Sequence, residues 1–339
     1  MRVKLFGSLI LAICSTAVVG QNSNEQEMDR VIHLTSIEKP RDIQEIATVI
    51  RSIGEIKSLS ADASARSLSV HGTAEQIALA ESLAHELTAG QGSNGYEYRM
   101  STGDLVHVYY LPHTETVRDF ASAATLIRSI ADMRWAFTYT TPRAFVVRGK
   151  PGQLEMTEWL VQQLDQPADG PSGSREYRVK GAADDLVHVY FVKHVESAEN
   201  LQELVVLVRS VGNIRRLFST SGQTMAVAMR GNAEQLGLAD WLLQKLDLPT
   251  AGSAGEAQDQ EASTREFQMP SSGDAVRVFY LRDATVQAFQ NAASDVRSVA
   301  GVSKVFTYNA LGALAVRGTA DQIVAARNLI NERFKNSQQ

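Results

Sequence analysis

Four segments of this chain repeat one another in register, and that repeat restricts the possible fold more than any other feature. RVIHLTS…RSIGEI…VHGTAEQIALAESLAHEL runs from Arg30 to Leu87. HVYYLPH…RSIADM…VRGKPGQLEMTEWLVQQLD runs from His107 to Asp165, and HVYFVKH…RSVGNI…MRGNAEQLGLADWLLQKLD from His188 to Asp247. The last copy, RVFYLRD…RSVAGV…VRGTADQIVAARNLI, spans Arg277 to Ile330. An Arg-Ser pair begins at Arg51, Arg128, Arg209 and Arg297, and a glycine follows at Gly72, Gly149, Gly231 and Gly318. These separations are 21, 21, 22 and 21 residues.

Hydrophobic periodicity gives each repeat the same elements. Ile43, Ile46, Ala47, Ile50 and Ile53 form one stripe of a 3.6-residue helix. The same offsets hold for Phe120, Ala123, Ala124, Ile127 and Ile130, for Leu201, Leu204, Val205, Val208 and Val211, and for Phe289, Ala292, Ala293, Val296 and Val299. Thr116 with Asp119 and Ser197 with Asn200 stand where N-caps belong. A hairpin follows, its second strand alternating as Leu68 and Val70, Phe145 and Val147, Val227 and Met229, or Leu314 and Val316. Such alternation predicts one covered and one wet face. The glycine then opens a second apolar helix, with Ile77, Leu83 and Leu87 in the first repeat and Leu154, Leu160 and Leu164 in the second. The predicted class is α+β: four tandem β-α-β-β-α modules, each a small sheet with two helices on one face.

The boundaries predicted are 1–20 for a cleaved signal peptide, 21–29 for a loose segment, and 30–88, 96–167, 175–249 and 265–334 for the modules. Arg2 and Lys4 precede an apolar run from Leu5 to Val19, with Val18 and Gly20 as small residues before the cleavage point. The single cysteine, Cys14, falls inside this leader, and Ile13 is too bulky for a lipoprotein signal, so the mature chain has no disulfide and no thiolate ligand. Without Arg2 and Lys4, 31 basic residues face 38 acidic ones, a net charge of −7 that repels polyanions. Segments rich in Gly, Ser, Pro and Ala at 89–95, 166–174 and 248–263 read as hinges or spacers. Strand-like stretches YEYRM (96–100), REYRV (175–179) and REFQM (265–269) precede modules two to four; each adds an edge strand to its own module or pairs with a neighbour's sheet.

Candidate site residues are few. His107 with His113, and His188 with His194, lie ~20 Å apart at ~3.3 Å per strand residue, too far to share one ion; no metal or cofactor is expected. Arg51, Arg128, Arg209 and Arg297 end the first helices and complement their C-terminal dipoles. Arg148, Arg230 and Arg317 precede the glycines on the face expected to be wet, where they are solvated or meet a partner's carboxylates. Trp159 and Trp241 share one position of the second helix, core packing being the default and a partner anchor the alternative. Trp135 has polar counterparts in Ser58, Arg216 and Lys304, which predicts exposure and a partner contact. No G-x-S-x-G, H-E-x-x-H, phosphate loop or placed carboxylate pair is present, so catalysis is not expected.

The modules resemble the short N-domain of secretins. The resemblance rests on HGTAEQI (71–77), RGKPGQL (148–154), RGNAEQL (230–236) and RGTADQI (317–323) at fixed spacing, and on the helix-ending Leu164-Asp165 and Leu246-Asp247. It covers 30–334 and implies periplasmic modules that stack and bind protein, self or a component of a type II secretion or type IV pilus machinery. No secretin pore domain follows, which sets channel activity aside. The topology is also similar to that of KH domains, but SIGEIK, SIADMR, SVGNIR and SVAGVS hold no G-x-x-G loop, and the acidic chain argues against nucleic acid. The expected function is that of an exported, non-enzymatic envelope protein acting through protein contacts. A stand-alone periplasmic adaptor and an enzyme with a site between modules are the alternatives.

Overall fold

The computed structural model describes residues 27–34, 36–89, 95–167, 173–181, 185–222, 225–249, 266–281 and 284–335; the leader with Cys14, and most of the expected spacers, lie outside them. Module one comprises β1 (Met28–His33), α1 (Pro40–Ile53), β2 (Ser58–Asp62), β3 (Ser67–Gly72) and α2 (Ala74–Ala89). Module two has β4 (Tyr96–Arg99), β5 (Leu105–Tyr110), α3 (Val117–Ala131), β6 (Trp135–Tyr139), β7 (Ala144–Gly149) and α4 (Pro151–Leu164). Module three repeats this as β8 (Gly173–Arg178), β9 (Leu186–Phe191), α5 (Ala198–Gly212), β10 (Arg216–Ser221), β11 (Met225–Gly231) and α6 (Ala233–Leu246). Module four has β12 (Phe267–Met269), β13 (Asp274–Tyr280), α7 (Val286–Ser298), β14 (Lys304–Tyr308), β15 (Ala313–Gly318) and α8 (Ala320–Lys335). The sheets are antiparallel, ordered β1-β3-β2, β4-β5-β7-β6, β8-β9-β11-β10 and β12-β13-β15-β14. The class is α+β, as expected, and the strand-like stretches join their own modules.

The first helices form where the periodicity places them. Thr116 accepts from the Asp119 amide while the Asp119 carboxylate accepts from the Thr116 amide, and Ser197 accepts from Asn200. The stripes are buried, with one exception. α7 ends at Ser298, before its chain reaches Val299, which is 68% exposed; Val302, rather than Val299, turns into the core.

The wet face expected of every sheet exists only in module one. β3 alternates buried Leu68 and Val70 with exposed Ser69 and His71. β7 and β15 are buried at every residue. Their second face packs on the helix pair of the preceding module: Val106, Val108, Ala144 and Val146 share a core with Val49, Leu79 and Leu83. Val187, Val189, Ala226 and Ala228 meet Leu126 and Met156 in the same way, and Val276, Val278, Ala313 and Ala315 meet Leu207 and Leu238. Each aliphatic side chain removed from water contributes about 1.5–3 kcal/mol. The modules therefore stack, helix pair on sheet, and the apolar faces set the geometry that spacers alone leave open.

The Gly-to-Gln spacing has a specific cause. Gln76, Gln153, Gln235 and Gln322 each accept from the backbone amide three residues back, closing the N-terminus of the second helix. Their amide nitrogens donate to carbonyls just past the first helix: Gly54 and Glu55, Asp132, Asn213, and Gly301, at 2.8–3.2 Å. One side chain thus ties the end of one helix to the start of the next. A Cβ on Gly72, Gly231 or Gly318 would stand 2.6–2.8 Å from the glutamine oxygen, so glycine is needed for the close approach. Replacing Gln235 with Ala is expected to destabilise the protein by about 1–2 kcal/mol, read by denaturant unfolding. Gly231→Ala is expected to destabilise by a similar amount alone and by much less in the Gln235→Ala background, because the clash partner is then gone.

Candidate partner-docking surface

The four residues expected to meet a partner meet the neighbouring module of the same chain. Arg148 is 6% exposed and Arg317 8%. Each emerges from the hairpin strand on the face that stacking covers, which is why they are not the solvated strand-end charges expected. Arg148 donates to the carbonyl of Ile53 at 3.1 Å, Arg230 to that of Ile130 at 3.1 Å, and Arg317 to that of Val211 at 2.8 Å. These are equivalent positions at the C-terminal ends of α1, α3 and α5, where unpaired carbonyls gather partial negative charge. Each guanidinium also pairs with the aspartate at the start of its own module's second strand: Asp104 at 3.1 Å, Asp185 at 2.5 Å and Asp274 at 2.8 Å. The planar fork serves both acceptors at once. Lys150 and Arg148 hold the Asp104 carboxyl below its usual range, Arg230 does so for Asp185, and Arg317 for Asp274.

Trp135 lies opposite Arg148 across the β6–β7 pair and is half-buried, not exposed. Arg148 and Arg134 stack on its ring at 4.5 and 4.7 Å. Trp159 and Trp241 also pack at joints, on Tyr177 and Phe267 of the next module's first strand, with ring centres 5.4 and 5.9 Å apart. Acidic side chains add to two joints. Glu45 accepts from the Thr140 amide and hydroxyl, and Glu203 from the Asn309 amide and side chain.

Among the described residues, no cluster of His, Cys, Asp and Glu is placed to hold a metal ion. His188 lies between Asp240 at 2.7 Å and Glu176 at 3.1 Å. Burial disfavours its charged form, but the two carboxylates outweigh burial and raise its pKa. Ser174 is close by, yet its hydroxyl meets Asp240 rather than the imidazole, so the order needed to activate a serine is not built. Asp165 and Asp247, the ends of the Leu-Asp pairs, accept from loop amides at His113 and at Lys193 and His194.

Both ends of the stack are polar. Module one presents Asp29, His33, Ser60 and Ser69 where later sheets present apolar or aromatic residues, with Val31 on the same face. Its counterpart of the arginine clamp is exposed: His71 pairs with Glu27 at 3.0 Å and Asp29 at 2.9 Å. At the other end, the positions held by Val49, Leu126 and Leu207 become Asp295, and those of Trp159 and Trp241 become Asn328. A polar outer face is what terminal repeats of a stacked array carry.

The strand edges are guarded unequally. Arg51 and Arg297 do more than complement helix ends: they donate to the Leu59 and Val305 carbonyls of edge strands β2 and β14 at 2.8 Å, and Arg209 reaches Leu217 of β10. The opposite edge is covered by β4, β8 and β12 in modules two to four. In module one that edge belongs to β1, and it is uncovered among the described residues.

The four antiparallel sheet–helix modules fit the tandem secretin N-domain-like architecture expected from the sequence. Solved structures similar to the chain include ExeD of Aeromonas hydrophila, at 14% identity over 66% of this chain and 42% of that one, with a TM-score of 0.17. The type II secretion system secretin GspD of E. coli K12 matches at 11% identity over 87% and 59%, with a TM-score of 0.17. An aspartate kinase from Synechocystis matches at 11% identity over 91% and 54%, with a TM-score of 0.16. The chain thus spans about half the length of the secretins it matches. Whole-chain superposition is poor in each case, and the module is defined by its own topology and its repeated glycine–glutamine closure. No family model and no curated protein matches the chain.

Two outcomes test the joints. Arg148→Met is expected to lower stability by about 1–3 kcal/mol, because the Ile53 carbonyl is left buried without its donor while Asp104 keeps only Lys150; calorimetry reads it. Acid is expected to loosen the stack. The three aspartates have lowered values in the folded chain, so their contribution is full above the ordinary 3.8 and is lost as pH falls through the lowered values. Small-angle scattering and the fluorescence of Trp159 and Trp241 follow the separation.

Proposed function

We propose that this chain is an exported, non-enzymatic protein of the bacterial envelope whose secretin-N-domain-like modules mediate protein–protein assembly with a type II secretion or type IV pilus apparatus. The observation that carries this reading is the division of its surfaces. Three sheets have both faces covered from within the chain, and the outer faces of modules one and four carry polar residues, as on terminal repeats of a stacked array. Its hydrogen-bonding potential for other proteins remains along its sides, at strand edges. The groove between α1 and α3, lined by Arg41, Thr48, Thr125 and Arg128, has a counterpart between α3 and α5 lined by Arg118, Ser122, Gln202 and Arg209. The carboxylate in the first groove, Glu45, is engaged by Arg41 and Thr140, so the groove supports contact rather than acid–base chemistry. Export is supported by the basic and then apolar leader at 1–20. Among the described residues, no helix is long and apolar enough to cross a membrane.

Crosslinking followed by mass spectrometry on the intact envelope of the producing cell tests this. Crosslinks from this chain to a secretin or pilus-assembly component are expected. Crosslinks confined to the chain itself would overturn the assembly role.

A further inference from the structure

We propose that the open edge of β1 accepts one antiparallel strand from a partner protein, and that this strand carries a carboxylate opposite Arg30 and an aromatic or apolar residue opposite Val31. The proposal deepens the protein-assembly reading above by naming where and with what chemistry the partner binds.

The other three modules provide the template. In module two, Tyr96 faces Val108, Glu97 faces His107 and Tyr98 faces Val106. In module three, Glu176 faces His188 and Tyr177 faces Val187, while in module four Phe267 faces Val276. A histidine or arginine on the inner strand therefore meets a glutamate on the added strand each time: His107–Glu97 at 3.3 Å, His188–Glu176 at 3.1 Å and Arg277–Glu266 at 3.2 Å. Pairing β1 with β3, as β5 pairs with β7, puts Arg30 at the position of His107, and Val31 at that of Val108.

Module one holds two of the three members of this arrangement. Arg30 binds Glu81 at 2.8 Å through Nε, and Glu81 occupies the place of Asp240, which shares His188 with Glu176. The seat of the glutamate has no occupant among the described residues, and the Arg30 side chain is 56% exposed. A guanidinium has five donors, so its two terminal nitrogens remain for a second carboxylate. The edge is also apolar where a partner side chain would lie, with Val31 54% and Met28 46% exposed. Outer strands β4 and β12 are short, at four and three residues, and β8 carries Arg175, Glu176 and Arg178, all of which discourage further addition. The edges of β2, β10 and β14 are stopped by arginines. β1 is six residues long and no arginine is bonded to its backbone carbonyls among the described residues.

The probe is a blocked peptide with the sequence of residues 95–100, GYEYRM, added to isotope-labelled protein and followed by amide chemical shifts. Shifts confined to 28–33 and the facing strand β3 are expected, with about tenfold weaker binding for a peptide bearing lysine in place of glutamate and for the Arg30→Ala protein. Arg30 is exposed, and an unchanged spectrum elsewhere checks that the variant folds. In a second protein, residues 95–104 are grafted directly before Met28. The graft is expected to raise the melting temperature and abolish peptide binding. No shifts at millimolar peptide, shifts elsewhere, or equal binding of the lysine peptide would overturn the proposal. Self-association through β1 in the absence of peptide would overturn it in favour of a second copy as occupant. Because the peptide test needs no native partner, peptide binding without envelope crosslinks would sink the secretion reading and leave the edge site standing.

Discussion

An arginine at the end of the hairpin strand in modules two to four, reaching up to the C-terminal carbonyls of the preceding module's first helix, is the contact on which the stack depends. It solves two problems together. The last carbonyls of a helix need donors once they are covered, and a cation leaving the face of a buried sheet needs counter-charge. Arg148, Arg230 and Arg317 meet both needs, with Asp104, Asp185 and Asp274 neutralising them from their own modules. A clamp of this kind is directional: it specifies which end of the helix pair sits over which end of the sheet. The apolar contact around it, Val106 and Val108 on Leu79 and Val49 for instance, supplies most of the stabilisation but little of that orientation.

The same logic accounts for the polar outer faces of modules one and four. Module one keeps the clamp position but fills it with His71, paired to Glu27 and Asp29 in the open. Module four replaces the apolar residues of the helix face with Asp295 and Asn328. Faces are used up within the chain, and edges are not. Protein recognition in such a molecule falls to backbone groups at strand edges, where arginines stop β2, β10 and β14, extra strands cover β5, β9 and β13, and β1 has no added strand among the described residues.

Much of the module was legible in the sequence because its causes are local. A stripe at 3.6-residue spacing, a cap three residues before its partner and a glycine at a fixed distance from a glutamine all act within a few turns of chain. The second face of the sheet was the main loss. Alternation through Leu314 and Val316 predicts a dry and a wet side, but LVHVYY, AFVV and ALAV are apolar at nearly every residue. Such runs belong to strands covered on both faces, while SLSVH of module one truly alternates. That contrast was available. Trp135, set against Ser58 and Lys304, pointed to exposure because position alone does not say that an arginine from the adjoining strand will lie on the ring.

The sequence by itself determined the unit: its elements, their order, the closure of one helix on the next and the number of copies. Tertiary structure alone decided how copies meet, because a helix's outer face and a sheet's outer face become partners only when both exist in three dimensions. The arginines show the division most clearly. Nothing in R-G distinguishes a solvated charge from a buried one; the distinction comes from Ile53, Ile130 and Val211, 95, 100 and 106 residues away in the chain, whose carbonyls arrive only when the modules stack.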